Sequence, residues 1–199
     1  MLNGLLRDPV TRAISPLARA LLRVGISPGM VTTAGASGAV VASVVLIPTG
    51  HLFVAAVIVG AFVLSDLLDG TMARMSGQES VWGAFLDSNL DRVTDAGIFA
   101  SLAIYYSTRN HLFLVLTLIS LVFGFLVSYA KARAEALGLK CSGGLMERAE
   151  RLIIVLVSTA LTGLGIPFTA GIGLWFLAAG SVFTFAQRLR QVNIQSRAK

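Results

Sequence analysis

Four aspartates stand in a tight pattern, Asp66 and Asp69 followed by Asp87 and Asp91. Spacings of three and four residues put each pair on one face of a helix. Carboxylates beside long apolar runs are costly and are usually kept for function. Four of them at one point cannot all stay ionised on their own: some protonate, or a divalent cation neutralises them. Ligation by oxygen alone suits Mg²⁺ or Mn²⁺ rather than zinc. Two such ions sharing carboxylates would clamp a diphosphate and stabilise an in-line displacement. Gly70 lets a ligand approach the backbone closely. Arg74, one turn further along the same stripe, can hold a phosphate oxygen. A purely structural reading is also open, in which Arg74 and Arg92 pair with aspartates at a membrane boundary. Each aspartate taken alone fits that reading; four together, with Gly70 and Gly83 in step, do not.

The elements that must position these residues are written in the charge pattern. The chain has 199 residues, of which 55% are hydrophobic and only 13% charged. Soluble domains carry roughly 25% charged residues, so a disordered chain is excluded and a soluble enzyme disfavoured. Charged residues are absent from Val24 to Ser65, from Ala96 to Ala130 except at Arg109, and from Leu152 to Gln187. A membrane-spanning helix needs roughly 20 apolar residues, so each stretch holds two spans and a turn. The turns are Pro48-Thr49-Gly50-His51, Thr108-Arg109-Asn110 and Gly163-Leu164-Gly165-Ile166-Pro167. The pattern predicts an all-α membrane protein of six transmembrane helices in three hairpins, one domain over 1–199, with the bundle at 24–190. A transmembrane barrel would need shorter alternating segments.

Three hairpins return the chain to one side, which gathers every Lys and Arg except Arg109. That side is predicted to be cytoplasmic, with both termini, because retained positive charge marks the cytoplasmic face. The net charge of +6 is thus a topology signal and needs no nucleic-acid partner. No cleavable signal peptide is evident. In residues 1–23, Leu6, Val10, Ile14, Leu17 and Leu21 share one helical face, opposite Asp8, Arg12, Arg19 and Arg23. That fits an interfacial helix on anionic lipid, or equally a stripe packed on the bundle. Asp8-Pro9 and Ser15-Pro16 allow one helix or two short ones. Residues 191–199 form a polar tail, expected to fray. The single cysteine, Cys141, excludes an internal disulfide framework. His51 and His111 fall at the opposite membrane side as bystanders.

The run Asp66-x-x-Asp69-Gly70-x-x-Ala73-Arg74, then eight residues, then Gly83-x-x-x-Asp87-x-x-x-Asp91 resembles the signature of the CDP-alcohol phosphotransferases, without a departure. The six-span layout with an N-terminal interfacial helix is similar too, so the resemblance covers nearly the whole chain. It implies transfer of a substituted phosphate from a CDP-linked donor to an alcohol, with release of CMP. It implies that Asp66, Asp69 and Asp87 bind two metal ions, Mg²⁺ or Mn²⁺. Asp91 is then the general base for the acceptor hydroxyl and also touches the second metal. Gly70 and Arg74 contact the CDP moiety, and Ser80 and the segment Gly29, Met30, Val31 and Thr32 align with nucleotide-contacting positions. For Thr32 and Ser80 a helix-cap or loop hydroxyl role is equally open. A homodimer in the plasma membrane is implied as well. The physics suits direct transfer, since a carboxylate in reach accepts the hydroxyl proton as attack proceeds.

The second half bears on the acceptor. Lys131 and Arg133 close the fourth span, Arg148 and Arg151 follow a Gly143-Gly144 turn, and Arg188 closes the sixth. Several cations on the aspartate side suit an anionic, phosphorylated acceptor. The segments are similar to those of the actinobacterial phosphatidylinositol-phosphate synthases, which join CDP-diacylglycerol to inositol 1-phosphate. On that resemblance Lys131, Arg151 and Arg188 hold the acceptor phosphate, with Arg133 and Arg148 as second-rank candidates. Lys131 with Glu135, and Glu147 with Arg151, also have the spacing of ordinary helix ion pairs. The alternatives are a phosphatidylglycerophosphate synthase using glycerol 3-phosphate and, in a different class, a transporter whose aspartates bind cations in transit. Against the latter, no broken helix or inverted repeat is obvious. A catalytically dead scaffold is disfavoured because the signature is complete.

Overall fold

The computed structural model describes residues 7–77 and 80–197. The side chains of residues 7–13 and of Asp66 lie outside the description, and with them part of the amphipathic face predicted for the N-terminal segment. The described residues form seven helices and no strand: α1 Arg7–Arg23, α2 Pro28–Leu46, α3 Leu52–Ser76, α4 Val81–Ser107, α5 His111–Ala136, α6 Arg148–Gly163 and α7 Thr169–Arg197. Each predicted hairpin turn falls between two of them. The described part of the N-terminal segment, Arg7–Arg23, is one helix with Pro16 inside it. The tail differs from expectation. It continues α7 to Arg197, because the Gln195 side chain donates to Lys140 O at 2.6 Å and accepts from Lys140 N at 3.0 Å.

This is a membrane protein by its helices: α2, α3, α5 and α7 are long and apolar enough to cross a bilayer, and between 28% and 39% of each apolar stretch is buried. The rest offers Val41, Val57, Leu118, Val122, Phe176 and Phe183 outward, as lipid contact requires. Hydroxyls inside these helices bond back to their own backbone, Thr117 to Phe113 O at 2.7 Å and Ser120 to Leu116 O at 2.8 Å. That satisfies them where water is absent. Two helices are not self-sufficient as spans. The first half of α4 carries Asp87, Asp91, Arg92 and Asp95, and α6 has only 16 residues, with Arg148, Glu150 and Arg151 in its first turn.

The chain divides into two compact units, residues 1–42 with 58–94, and residues 43–57 with 95–199. In the first, Gly35 and Gly38 of α2 admit α3 closely. A Cβ at Gly35 would strike Ser65 Oγ, and one at Gly38 the Phe62 ring. In the second, α5, α6 and α7 pack on one another. Leu116, Ser120, Gly124 and Val127 of α5 are buried at spacings of four, four and three residues. On α7 the buried residues include Leu174, Leu177, Ser181, Thr184 and Arg188. Small residues permit close approach: a Cβ at Gly173 would lie 2.5 Å from Ser158 Cβ, and one at Gly180 2.5 Å from Met146 Cε. Helices packed in lipid use this device because hydrophobic burial alone does not drive them together.

Candidate active site

The carboxylate region belongs to the first unit. Helix α3 ends at Ser76, and Gly77 takes the left-handed conformation (φ 65°) that closes a helix C-terminus. Helix α4 starts after Ser80, whose Oγ accepts from Gly83 N at 3.0 Å. Ser80 is therefore an N-cap. These two devices set where Asp66 and Asp69 finish α3 and where Asp87 and Asp91 begin α4. Asp69 is buried, 6% exposed, beside the fully buried Met72 and Thr71. Asp87 and Asp91 are half-buried. Arg92 Nη2 reaches Asp91 Oδ2 at 3.4 Å. Among the described residues, Arg74 turns to a hydroxyl. Its Nη2 donates to Thr71 Oγ1 at 3.1 Å, and that hydroxyl donates to Leu67 O at 2.8 Å. The guanidinium is thereby folded back along α3 over Gly70, where a Cβ would stand 3.5 Å from Nη1.

The donor set is all oxygen and matches a hard divalent cation in chemistry. Among the described residues no three Asp, Glu, His or Cys side chains form a metal-holding group, and the Asp66 side chain, the fourth member of the set, lies outside them. Of the predicted nucleotide contacts, Gly29, Met30, Val31 and Thr32 form the first turn of α2. Ser27 Oγ accepts from Met30 N at 3.3 Å, and Thr32, buried, donates to Pro28 O at 3.1 Å. A Cβ at Gly29 would meet nothing within 4 Å.

The predicted acceptor cations belong to the second unit, and the fold treats them differently. Lys131 is exposed, with Nζ 4.0 Å from Glu135 Oε1. Arg133 is exposed as well. Arg151 is 1% exposed. Its Nη2 lies 3.3 Å from Asp95 Oδ2, and its Nη1 donates to Met146 O at 3.3 Å. Gly124 makes the room, since a Cβ there would sit 3.2 Å from Arg151 Nε. Arg148 Nε stands 3.5 Å from Asp95 Oδ1. Arg188 donates to Val127 O at 2.6 Å and to Glu147 Oε1 at 3.1 Å. Glu147 therefore pairs with Arg188 rather than taking the helical partner its spacing suggested, Arg151. Asp95 was not among the sequence candidates. Its only signal was its place one turn after Asp91, at the last charge before the apolar run from Ala96.

Residues 26–186 match the CDP-alcohol phosphatidyltransferase family. A phosphatidylinositol phosphate synthase from Corynebacterium glutamicum is 41% identical over 196 residues, covering 97% of this chain and 90% of the relative. Mycobacterium tuberculosis phosphatidylinositol phosphate synthase with CDP-DAG bound has a TM-score of 0.87 to this chain at 43% identity, covering 91% of this chain and 94% of the other. The same enzyme in complex with manganese and citrate gives a TM-score of 0.87 at 43% identity, over 90% and 88% of the two chains.

Proposed function

The chain belongs to the CDP-alcohol phosphatidyltransferase family, and from that membership we propose that it transfers the phosphatidyl group of CDP-diacylglycerol to inositol 1-phosphate, releasing CMP and forming phosphatidylinositol phosphate. The donor is supported by the related enzyme that binds CDP-DAG. The observation that carries the phosphorylated acceptor is the buried guanidinium of Arg188 in the second unit, whose carboxylate partner, Glu147, is partly exposed. Inositol as its alcohol is supported by the relatives' activity.

Asp66, Asp69, Asp87 and Asp91 hold two divalent ions in this reading, Mg²⁺ or the manganese found with the related enzyme. Bound there, such ions neutralise the diphosphate and stabilise the departing CMP. Asp91 accepts the proton of the acceptor hydroxyl as it attacks the donor phosphorus. Gly70 offers a surface without a side chain to the donor, and Arg74, aimed by Thr71, offers it a guanidinium. Ser80 and residues 29–32 contact the nucleotide. Lys131, Arg151 and Arg188 hold the acceptor phosphate. Arg151 contributes least, because Asp95 already balances it.

The apolar halves of α4 and α6 complete six spans, and α1 lies at the membrane interface. The active site and both termini face the cytoplasm at the plasma membrane, where fifteen of the sixteen Lys and Arg residues gather. The protein works as a homodimer. The test is CMP release in detergent from CDP-diacylglycerol with Mg²⁺, using inositol 1-phosphate and glycerol 3-phosphate in parallel. Turnover with inositol 1-phosphate is expected. Turnover with glycerol 3-phosphate alone assigns the other acceptor, and no donor-dependent CMP release removes the catalytic reading.

A further inference from the structure

Arg188 is 3% exposed and its guanidinium is held by three partners. Nη1 donates to Val127 O at 2.6 Å. Nε and Nη2 share Gly143 O, each at 3.4 Å. Nη2 also donates to Glu147 Oε1 at 3.1 Å. The first two partners are backbone carbonyls fixed by the fold. The third is the charged one, on a side chain that is 38% exposed. Glu147 occupies the N-cap position of α6 with extended backbone (φ −76°, ψ −179°), yet its side chain makes no capping bond. Its carboxylate is given to Arg188 across 41 residues of sequence instead of to its own helix. The neighbouring pair is built differently, for Asp95 and Arg151 are both buried and neither can be replaced from solvent.

We propose that Glu147 is an exchangeable counter-ion, which occupies Nη2 of Arg188 until an incoming phosphate dianion displaces it. This deepens, and rests on, the reading of Arg188 as an acceptor-phosphate residue. A phosphate monoester brings close to two negative charges and three acceptor oxygens at neutral pH, against one charge on the carboxylate. Released, the half-exposed Glu147 regains water, whereas a buried guanidinium left without an anion does not. Exchange therefore happens on the carboxylate's side of the pair. Val127 and Gly143 keep the guanidinium aimed throughout, so α7 need not rearrange. Glu147 thus sets acceptor affinity by competition, and its removal strengthens phosphate binding.

The probe is inorganic phosphate, titrated calorimetrically into the purified full chain in detergent, with donor and acceptor KM measured alongside. Glu147→Gln keeps the shape and removes the competing charge. Phosphate is expected to bind it about fivefold more tightly, the upper end for a partly exposed ion pair, with acceptor KM lowered in step and donor KM unchanged. Glu147→Asp, one methylene shorter, is expected to fall between that variant and the parent. Phosphate affinity equal to or weaker than the parent's in the folded Glu147→Gln protein makes Glu147 a fixed wall of the site and overturns the proposal. Should Glu147→Gln not fold, Glu147→Asp decides alone by the same comparison. Failure of both phosphorylated alcohols to release CMP overturns the acceptor assignment, and the calorimetric comparison still decides the exchange.

Discussion

In the first unit, α3 carries Asp66, Asp69 and Arg74, α4 carries Asp87, Asp91 and Arg92, and Arg74 donates to a threonine hydroxyl. In the second, Arg148, Arg151 and Arg188 stand against Asp95 and Glu147, and each guanidinium lies within 3.5 Å of a carboxylate. Both regions crowd charge into an apolar setting, which is costly unless it is balanced. In the reading proposed above, divalent cations complete the balance of the first. In the second, each of these guanidiniums already has a carboxylate beside it, so a ligand anion there must compete with groups already in place. At Glu147 and at Glu135 the competing carboxylate is substantially exposed.

The largest effect is expected from Asp91→Asn. Losing a general base costs about 10²–10⁴ in rate, so CMP release should fall by that much while CDP-diacylglycerol binding is kept. Loss of donor binding as well would make Asp91 a structural metal ligand. The next effect sets the regions against each other. Asp95→Asn removes a carboxylate shared by Arg148 and Arg151, and breaking a buried pair from one side costs about 3–5 kcal/mol. Thermal unfolding in detergent should show a clear drop. Asp87→Asn should leave the unfolding midpoint unchanged when measured with a chelator present, and should abolish turnover when assayed with Mg²⁺. Equal destabilisation by the two variants would erase the distinction between the regions.

What could be read from sequence follows from the same physics. The helix ends were legible because Pro48, Arg109-Asn110 and Gly163-Pro167 interrupt otherwise charge-free runs. The placement of Asp66 and Asp69 on one helix and of Asp87 and Asp91 on the next was legible because both spacings are intrahelical. Partners between elements were not. Arg188 meets Glu147 41 residues away, and Arg151 meets Asp95 56 residues away. The spacing of Glu147 and Arg151 pointed to a helical pair, but Glu147 precedes the first helical residue and its extended backbone takes the side chain elsewhere. Lys131 and Glu135, both inside α5, meet as their spacing implies.

That last pair gives the smallest stability effect and a sharp test of the second region. Lys131 and Glu135 are 47% and 56% exposed, and their ions approach only to 4.0 Å. An exposed helix pair of this kind contributes about 0.3–0.5 kcal/mol, so Lys131→Ala should leave thermal unfolding nearly unchanged. If Lys131 binds the acceptor phosphate, its loss should instead appear as a raised acceptor KM with donor KM unaltered. Glu135→Gln separates the two roles: it breaks the same ion pair but leaves the ammonium in place, so acceptor KM should not rise. A matched rise in both variants would assign Lys131 to helix electrostatics. An unchanged KM in both would make it one more cation on the face where the chain keeps its positive charge, and would leave Arg188, with its exchangeable partner, as the acceptor's principal anchor.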